Sequence, residues 1–555
     1  MEAQIGPVTG AGPGYSRRGM QNSFLPRLVR WSEGWTGAGW ATAALSALVV
    51  LWSPGGISAA PLPGCGVGPS GASADTVAAV ELHLTERKGG PLAQAVDELL
   101  QDLVGAEEPG AVVFVSTENG DVTLARGLAS MEHGLPITPE TVFDGASIAK
   151  QFTALALAIL VERGLLSLDD PVHRWLPEFP THDPPVRIHH LLHHTSGVRD
   201  WPGLLLLAGW RFEDVLTHEH ILRVTYRQAD LNFPAGSRTT YSNTGYVLLA
   251  EIIGRRTGMA FPEFLRREIF EPLGMGDSGI PRDATEVIIR RAASYRIVGG
   301  ETRAISSNLS AWGSSSLFTS ARDLLRWVEF LHGDGPGGLE LRAAAERLTE
   351  SEGREWGTPR YGWGQVVEEL EGHRLMRHGG AWAGYRSALL RMPDRRIAVG
   401  VMGNRTDLDA DALAEAVIAL LLADGGEERA GGFVEEVAPA GAEPADGPET
   451  APTSRDRPSP DHPVAEDPHM ELSEYLGDYR NVELESTYSL TPLGNALLAT
   501  HPRLGSHLLQ AVGTDHFRSV IFGEVRFQRD GHGRITGFVA HQPRNTGIRF
   551  HRSEP

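Results

Sequence analysis

From about residue 424 to residue 468 the chain runs through Gly, Glu, Ala, Pro, Asp and Ser with scarcely an apolar residue. Such a stretch cannot bury enough surface to offset the entropy of ordering it. One core must therefore close before it and another begin after it. At 555 residues the chain is in any case too long for a single core. The sequence divides into a folded unit at 91–423, a disordered Pro/Ala/Glu linker at 424–468 and a small unit at 469–555.

The first unit reads as mixed α/β. Apolar positions at Leu92, Val96, Leu99, Leu100 and Leu103 follow helical spacing and open it. Ala111–Val115 and Val122–Ala125 read as a hairpin through Glu118-Asn119-Gly120-Asp121, since Asn-Gly tolerates the positive φ of a tight turn. A helix rich in alanine and leucine is expected from Ser147 to Arg163, stopped at Gly164. Helical patterns alternate with Pro- and Gly-containing loops between 165 and 290. Val366-Val367, Arg386–Met392 and Ile397–Met402 then read as strands, and a helix from Ala410 to Leu422 closes the unit. The second unit alternates in short segments. Val525 and Phe527 lead through Asp530-Gly531-His532-Gly533 to Ile535, Gly537 and Val539, which is the pattern of a small antiparallel β-barrel.

Arg17, Arg18, Arg27 and Arg30 precede an apolar stretch from Gly37 to Trp52 and small residues through Ala60. Residues 1–60 therefore read as a signal peptide, with a retained anchor as the second choice, and 61–90 as a flexible mature N-terminus. A secreted, extracytoplasmic or periplasmic location follows. Ser16-Arg17-Arg18 is a weak twin-arginine signal, and Cys65, the sole cysteine, is a minority candidate for lipidation that would add a membrane contact. One cysteine excludes a disulfide within the monomer. With a net charge of −20 and no basic run beyond the N-terminus, nucleic acid is not an expected partner; a small molecule or short peptide is, and a homo-oligomer is left open.

Chemistry enters at Ser147-Ile148-Ala149-Lys150. A hydroxyl and an amine three residues apart at the start of a helix project from one face within hydrogen-bonding reach. Serine needs a base to become a nucleophile, and lysine serves only if burial or neighbouring positive charge depresses its pKa. A helix N-terminus acts in the same direction. Only Lys88 and Lys150 are lysines among 50 basic residues. A surface cation at 150 would as readily be arginine, whereas a base cannot be.

Tyr241-Ser242-Asn243 and His378-Gly379-Gly380 follow in order. Together with Leu191-Leu-His-His-Thr-Ser-Gly197, Glu271-Pro-Leu-Gly-Met275 and Tyr361-Gly-Trp-Gly364, they resemble the serine β-lactamase, penicillin-binding protein and D-aminopeptidase superfamily over roughly residues 93–423. The resemblance implies a β-lactamase/transpeptidase-like α/β fold: an antiparallel sheet flanked by helices, plus a helical subdomain. It implies that Ser147 is acylated, Lys150 is its base, and Tyr241 shuttles a proton to the leaving group and later activates water. Asn243 would orient Lys150 and bind a substrate amide. Ser147 and Ala381 would supply the oxyanion-hole N–H groups, and His378, Gly380, Ala381 and Trp382 would line the substrate. The phenol suits its role only if nearby cations, chiefly Lys150, lower its pKa.

His378 stands where β-lactamases and carboxypeptidases, which this chain resembles, carry a lysine that grips a carboxylate. A largely neutral imidazole does not replace that charge. His-Gly-Gly is similar instead to the D-aminopeptidase and esterase branches, and Tyr475-Leu-Gly-Asp-Tyr479 through Gly547-Ile-Arg-Phe550 resembles the lipocalin-like barrel attached to such peptidases. The expected activity is acyl-enzyme hydrolysis of small amides or esters, D-aminopeptidase-like, without cofactor or metal. A broad esterase, a β-lactamase, a slowly deacylating penicillin sensor and a vestigial scaffold are the alternatives. Gly276-Asp277-Ser278-Gly279 imitates a trypsin-like nucleophile signature but reads as a turn. His189, His190, His193 and His194 have the spacing of a zinc pair but no carboxylate or cysteine in register. Trp312 and Trp382 are open between cleft and core.

Overall fold

The structure, a computed structural model, describes residues 90–350, 360–424 and 471–553. The expected signal peptide, Cys65, residues 61–89 and the expected linker from 425 onward lie outside these residues.

A seven-stranded antiparallel sheet organises the larger unit. Its order is Gly120–Arg126, Ala111–Thr117, Ile397–Gly403, Tyr385–Met392, His373–Trp382, Gln365–Leu370 and Arg360–Gly362. The first hairpin is tighter than the sequence implies. Thr117 pairs with Gly120 across Glu118-Asn119, and the positive φ of 121° falls on Gly120, already in the strand. Helices Pro91–Leu103 and Ala410–Asp424 cover one face, where Val96 and Leu100 pack with Val113, Leu390 and Val417. Leu103, expected on the buried stripe, is 51% exposed. The other face carries helix Ala149–Glu162, whose residues Ala149 to Leu160 are all buried. Small residues make this possible, because Ala-rich turns let Asn243–Thr257 and Leu339–Thr349 approach from two sides.

Eight antiparallel strands from Gly477 to Arg552 close into a barrel. Tyr475, Tyr479, Tyr488, Phe517, Phe522, Phe527, Phe538 and Phe550 fill its interior with edge-to-face and stacked pairs. The same apolar cluster continues into the larger unit through helix Trp201–Leu207, with Leu204, Leu205 and Leu207 buried among the barrel side chains. The Leu207 carbonyl accepts the hydroxyls of Ser486 at 2.8 Å and Tyr488 at 3.2 Å. Arg199, 3% exposed, donates to the carbonyls of Thr546 and Gly547, both at 3.2 Å. The barrel is thus docked by buried contacts rather than tethered beside its neighbour.

Candidate active site

Strand Val142–Asp144 leads through Gly145 into Ala146, whose φ of +46° is uncommon for a residue with a side chain. The Asp144 carboxylate accepts the Ala146 N–H at 2.8 Å and holds the turn, while burial raises this carboxyl to about 6. Ser147 follows in a single 3₁₀ turn, Ala146–Ile148, and the α-helix begins only at Ala149. The sequence places that start at Ser147. The tighter turn still brings Lys150 Nζ to 3.1 Å from Ser147 Oγ.

Lys150 is 0% exposed. Its nitrogen also faces Asn243 Oδ1 at 2.9 Å and the Ser314 carbonyl at 2.7 Å. Burial holds it well below the ordinary lysine range; Asp200 opposes this and Arg544 reinforces it. Burial disfavours the ammonium form among these three neighbours. Nζ donates to the Asn243 and Ser314 oxygens and to Ser147 Oγ, so an amine that gives up the third proton keeps the first two bonds and turns its lone pair to the Ser147 hydroxyl. Gly364, at φ +84°, allows this burial: a Cβ there would lie 2.5 Å from the Lys150 carbonyl oxygen.

Tyr241 donates its hydroxyl to Ser147 Oγ at 3.1 Å. Burial pushes the phenol above its usual range, so the expected lowering by a lysine cation does not occur. Desolvation is the cause: it outweighs the Ser147 hydrogen bond and the Arg544 cation, which both act to lower the phenol, and Asp200 acts with it. Tyr241 stands in the site as a proton donor. Asn243 donates its N–H to Asp200 Oδ1 at 2.7 Å and its side-chain amide to Asp200 Oδ2 at 3.2 Å, which turns its own oxygen toward Lys150.

His378, Gly379 and Gly380 lie in strand His373–Trp382. Pairing with Gln365–Leu370 stops at Arg377, so residues 378–382 form a local edge. A Cβ on Gly380 would lie 2.3 Å from both the Gly145 carbonyl and Ser387 Oγ, and 3.2 Å from the Ser147 nitrogen. Only glycine lets this edge lie against the Ser147 amide, with exposed Ala381 next along it. His378 departs from its expected role. The imidazole is 7% exposed, with Nδ1 2.6 Å from the Gly379 carbonyl and Nε2 3.0 Å from the Tyr361 hydroxyl. The carbonyl can only accept, so Nδ1 carries the proton and Nε2 accepts from Tyr361. Burial first, and Lys150 second, lower this histidine to about 3. Both nitrogens are occupied inside the protein.

A Ser-x-x-Lys turn, a Tyr-x-Asn segment and a glycine-bearing edge strand converge on one hydroxyl. The model of the family described as Beta-lactamase matches residues 93–423. The chain belongs to the beta-lactamase family. Among curated relatives it is 31% identical over 330 residues to penicillin-binding protein 4* of Bacillus subtilis strain 168, covering 56% of this chain and 71% of that one. It is 31% identical over 319 residues to a D-aminopeptidase of Gluconobacter oxydans strain 621H, covering 56% of this chain and 59% of the relative. It is 32% identical over 301 residues to esterase EstB of Burkholderia gladioli, covering 47% and 76%.

Within this beta-lactamase fold several site residues escaped the sequence reading. Asp200 precedes Trp201-Pro202 and has the local signature of a helix cap, yet it makes no side-chain cap and holds Asn243 instead. Ser314 contributes a carbonyl, which no side-chain pattern reveals. Arg544 comes from the barrel, where its guanidinium lies 4.8 Å over the Tyr241 ring. The His194 ring packs against Tyr241 at 4.3 Å with the planes tilted by 42°, and it accepts the Ser242 N–H at 3.2 Å, so the His-Thr-Ser-Gly element seats Tyr241. His190 accepts the Arg187 N–H at 3.1 Å, while Nδ1 of His189 and of His193 each face a carbonyl at 3.0 Å. Ser278 Oγ contacts Asp323 at 2.8 Å in the turn expected for Gly276–Gly279. Trp312 stacks on His218 at 4.7 Å, and Trp382 lies half-buried between Trp201 and Phe212.

Proposed function

We propose that this chain is an acyl-enzyme serine hydrolase acting on small amides or esters, with a D-aminopeptidase-like activity leading. The observation that carries the reading is Ser147 Oγ held between the buried Lys150 amine and the Tyr241 hydroxyl, each at 3.1 Å. Lys150 takes the serine proton as Oγ bonds to the substrate carbonyl carbon. The backbone N–H groups of Ser147 and Ala381 receive the negative charge on the carbonyl oxygen, a contribution of about 3 kcal/mol per donor in comparable sites. As the bond to the leaving nitrogen or oxygen breaks, Tyr241 gives that atom its proton and is reprotonated at the expense of the Lys150 ammonium. Water then repeats the sequence on the acyl-enzyme, with its proton passing to Lys150. Asn243, fixed by Asp200, keeps the amine aimed at Ser147 throughout.

The buried, neutral His378 leaves the third motif without a cation for a free carboxylate. This favours amides and esters without such a group over β-lactams. The D-aminopeptidase and esterase relatives support the same direction. The test compares the full chain with Ser147→Ala on D-amino-acid p-nitroanilides, p-nitrophenyl acyl esters and a chromogenic cephalosporin. Continuous turnover of anilides or esters, lost in Ser147→Ala, is expected. Equal rates for the two proteins overturn the reading, and a single burst of product per chain replaces it with a slowly deacylating sensor.

A further inference from the structure

The last hairpin of the barrel, Ile535–Gln542 and Asn545–Arg552, turns through Pro543 and Arg544. Its tip is part of the Ser147 site. Arg544 Nη1 donates to Asp200 Oδ2 at 3.2 Å. Asn545 accepts the Asp200 N–H at 2.6 Å and donates to the Asp200 carbonyl at 3.1 Å. The tip is held from outside as well. Asn232 donates to the Arg544 carbonyl at 2.8 Å and accepts the Thr546 N–H at 2.7 Å. Gly203 leaves room for it, since a Cβ there would lie 2.2 Å from Asn545 and 2.3 Å from Gln542.

The surroundings of Lys150 show why this matters. Its own turn offers the Ser147 hydroxyl, and helix Asn243–Thr257 offers Asn243 and the Tyr246 ring at 5.6 Å. The preceding segment gives the Tyr241 ring at 4.9 Å, and the 311–316 loop gives the Ser314 carbonyl. The imidazoles of His194 and His378 are both lowered by burial and carry no charge near neutral pH. What remains facing Lys150 is a carboxylate, Asp200, and a guanidinium, Arg544. The Asp200 side chain is 4% exposed, and its other partners are the neutral N–H and amide of Asn243. A buried carboxylate left with neutral partners draws a proton toward its nearest base.

We propose that Arg544 is a positioning residue of the hydrolase site: by pairing with Asp200 it neutralises the carboxylate that faces Lys150, so the docked barrel completes the catalytic base. This rests on Ser147 being the nucleophile and Lys150 its base. The larger unit alone contains the nucleophile, the lysine and the carboxylate, while the balancing charge arrives on the second unit.

The experiment measures the rate at which phenylmethanesulfonyl fluoride modifies Ser147 across pH, by intact mass, on the full chain. The reagent is uncharged and carries no carboxylate, so a substrate-binding role for Arg544 does not enter. Arg544→Met is expected to move the acid limb of the rate profile to higher pH by about one unit or more, about a tenfold slower reaction below the limb. Asp200→Asn moves the limb to lower pH, and adding Asp200→Asn to Arg544→Met brings it back toward wild type. Arg544→Lys keeps the charge and should hold the limb in place, which preserves the test if Arg544→Met does not fold. Superimposable limbs in wild type and Arg544→Met overturn the proposal. So does a uniform loss of rate at every pH, or a shift that Asp200→Asn does not reverse. A wild-type chain that is never modified at Ser147 overturns the nucleophile reading itself, and this proposal with it.

Discussion

The two units of this protein meet at Ser147 with opposite electrostatic characters. On the side of the larger unit, Lys150, Tyr241, His194 and His378 are all titratable and buried, and burial disfavours the charged form of each. On the side of the barrel, Arg544 brings a guanidinium paired with Asp200. The difference teaches how a lysine becomes a base. Desolvation makes the amine, but a neighbouring carboxylate would undo it, and the correction comes from a segment more than 300 residues away in sequence.

The comparison breaks first at Lys150. Lys150→Arg places a group that does not deprotonate in the buried wall, and hydrolysis should fall by about a thousandfold or more in steady-state assays. Retained activity would mean that the buried wall is not what activates Ser147. Tyr241→Phe removes the proton donor while leaving the packing, so a loss of about a hundredfold is expected, greatest for substrates with poor leaving groups. If good and poor leaving groups suffer equally, Tyr241 does not protonate them. Gly380→Ala sets a methyl against Gly145 and Ser387, so the edge strand must retreat from the Ser147 amide. About a tenfold to hundredfold loss in kcat, with KM less affected, follows from misplacing the oxyanion donors.

His378 sharpens the comparison through stability. Its imidazole sits at about 3 in the folded protein and near 6.5 in an unfolded chain. Between those values the unfolded chain binds a proton that the folded one refuses. The stability His378 contributes is therefore present above about pH 6.5 and is lost as pH falls toward 3. His378→Gln should flatten that acid limb in thermal melts at several pH values; an unchanged slope would show the ring to be accessible to protons. The smallest effect is expected at Arg549→Ala. This removes an exposed ion pair with Asp230 at the same interface, and should change stability by about 0.5 kcal/mol or less with no change in the pH profile. A larger effect would show that interface charge in general, rather than the Arg544–Asp200 pair, controls the site.

Much of the site was legible because its chemistry is local. Ser147 and Lys150 are separated by one turn, and a lysine kept in an arginine-rich chain points to a deprotonated role. Helix Ala149–Glu162, the strands at 385–392 and 397–403, and the final barrel hairpins follow from periodicity and turn residues. His378 shows the limit of that legibility. The sequence correctly withholds a charge from this position, but only packing reveals that Tyr361 and the Gly379 carbonyl take both nitrogens away from the cleft.

The sequence by itself determined two folded units, the candidate nucleophile and base, and the order of the motifs, because hydrophobic period and residue chemistry are written within a few positions of each other. The tertiary structure alone decided the environment in which the site's groups titrate. Burial of Lys150 and Tyr241, the grip of Asp200 on Asn243 and the arrival of Arg544 from a barrel turn all depend on which distant surfaces exclude water together. That is a property of the packed molecule rather than of any segment in it.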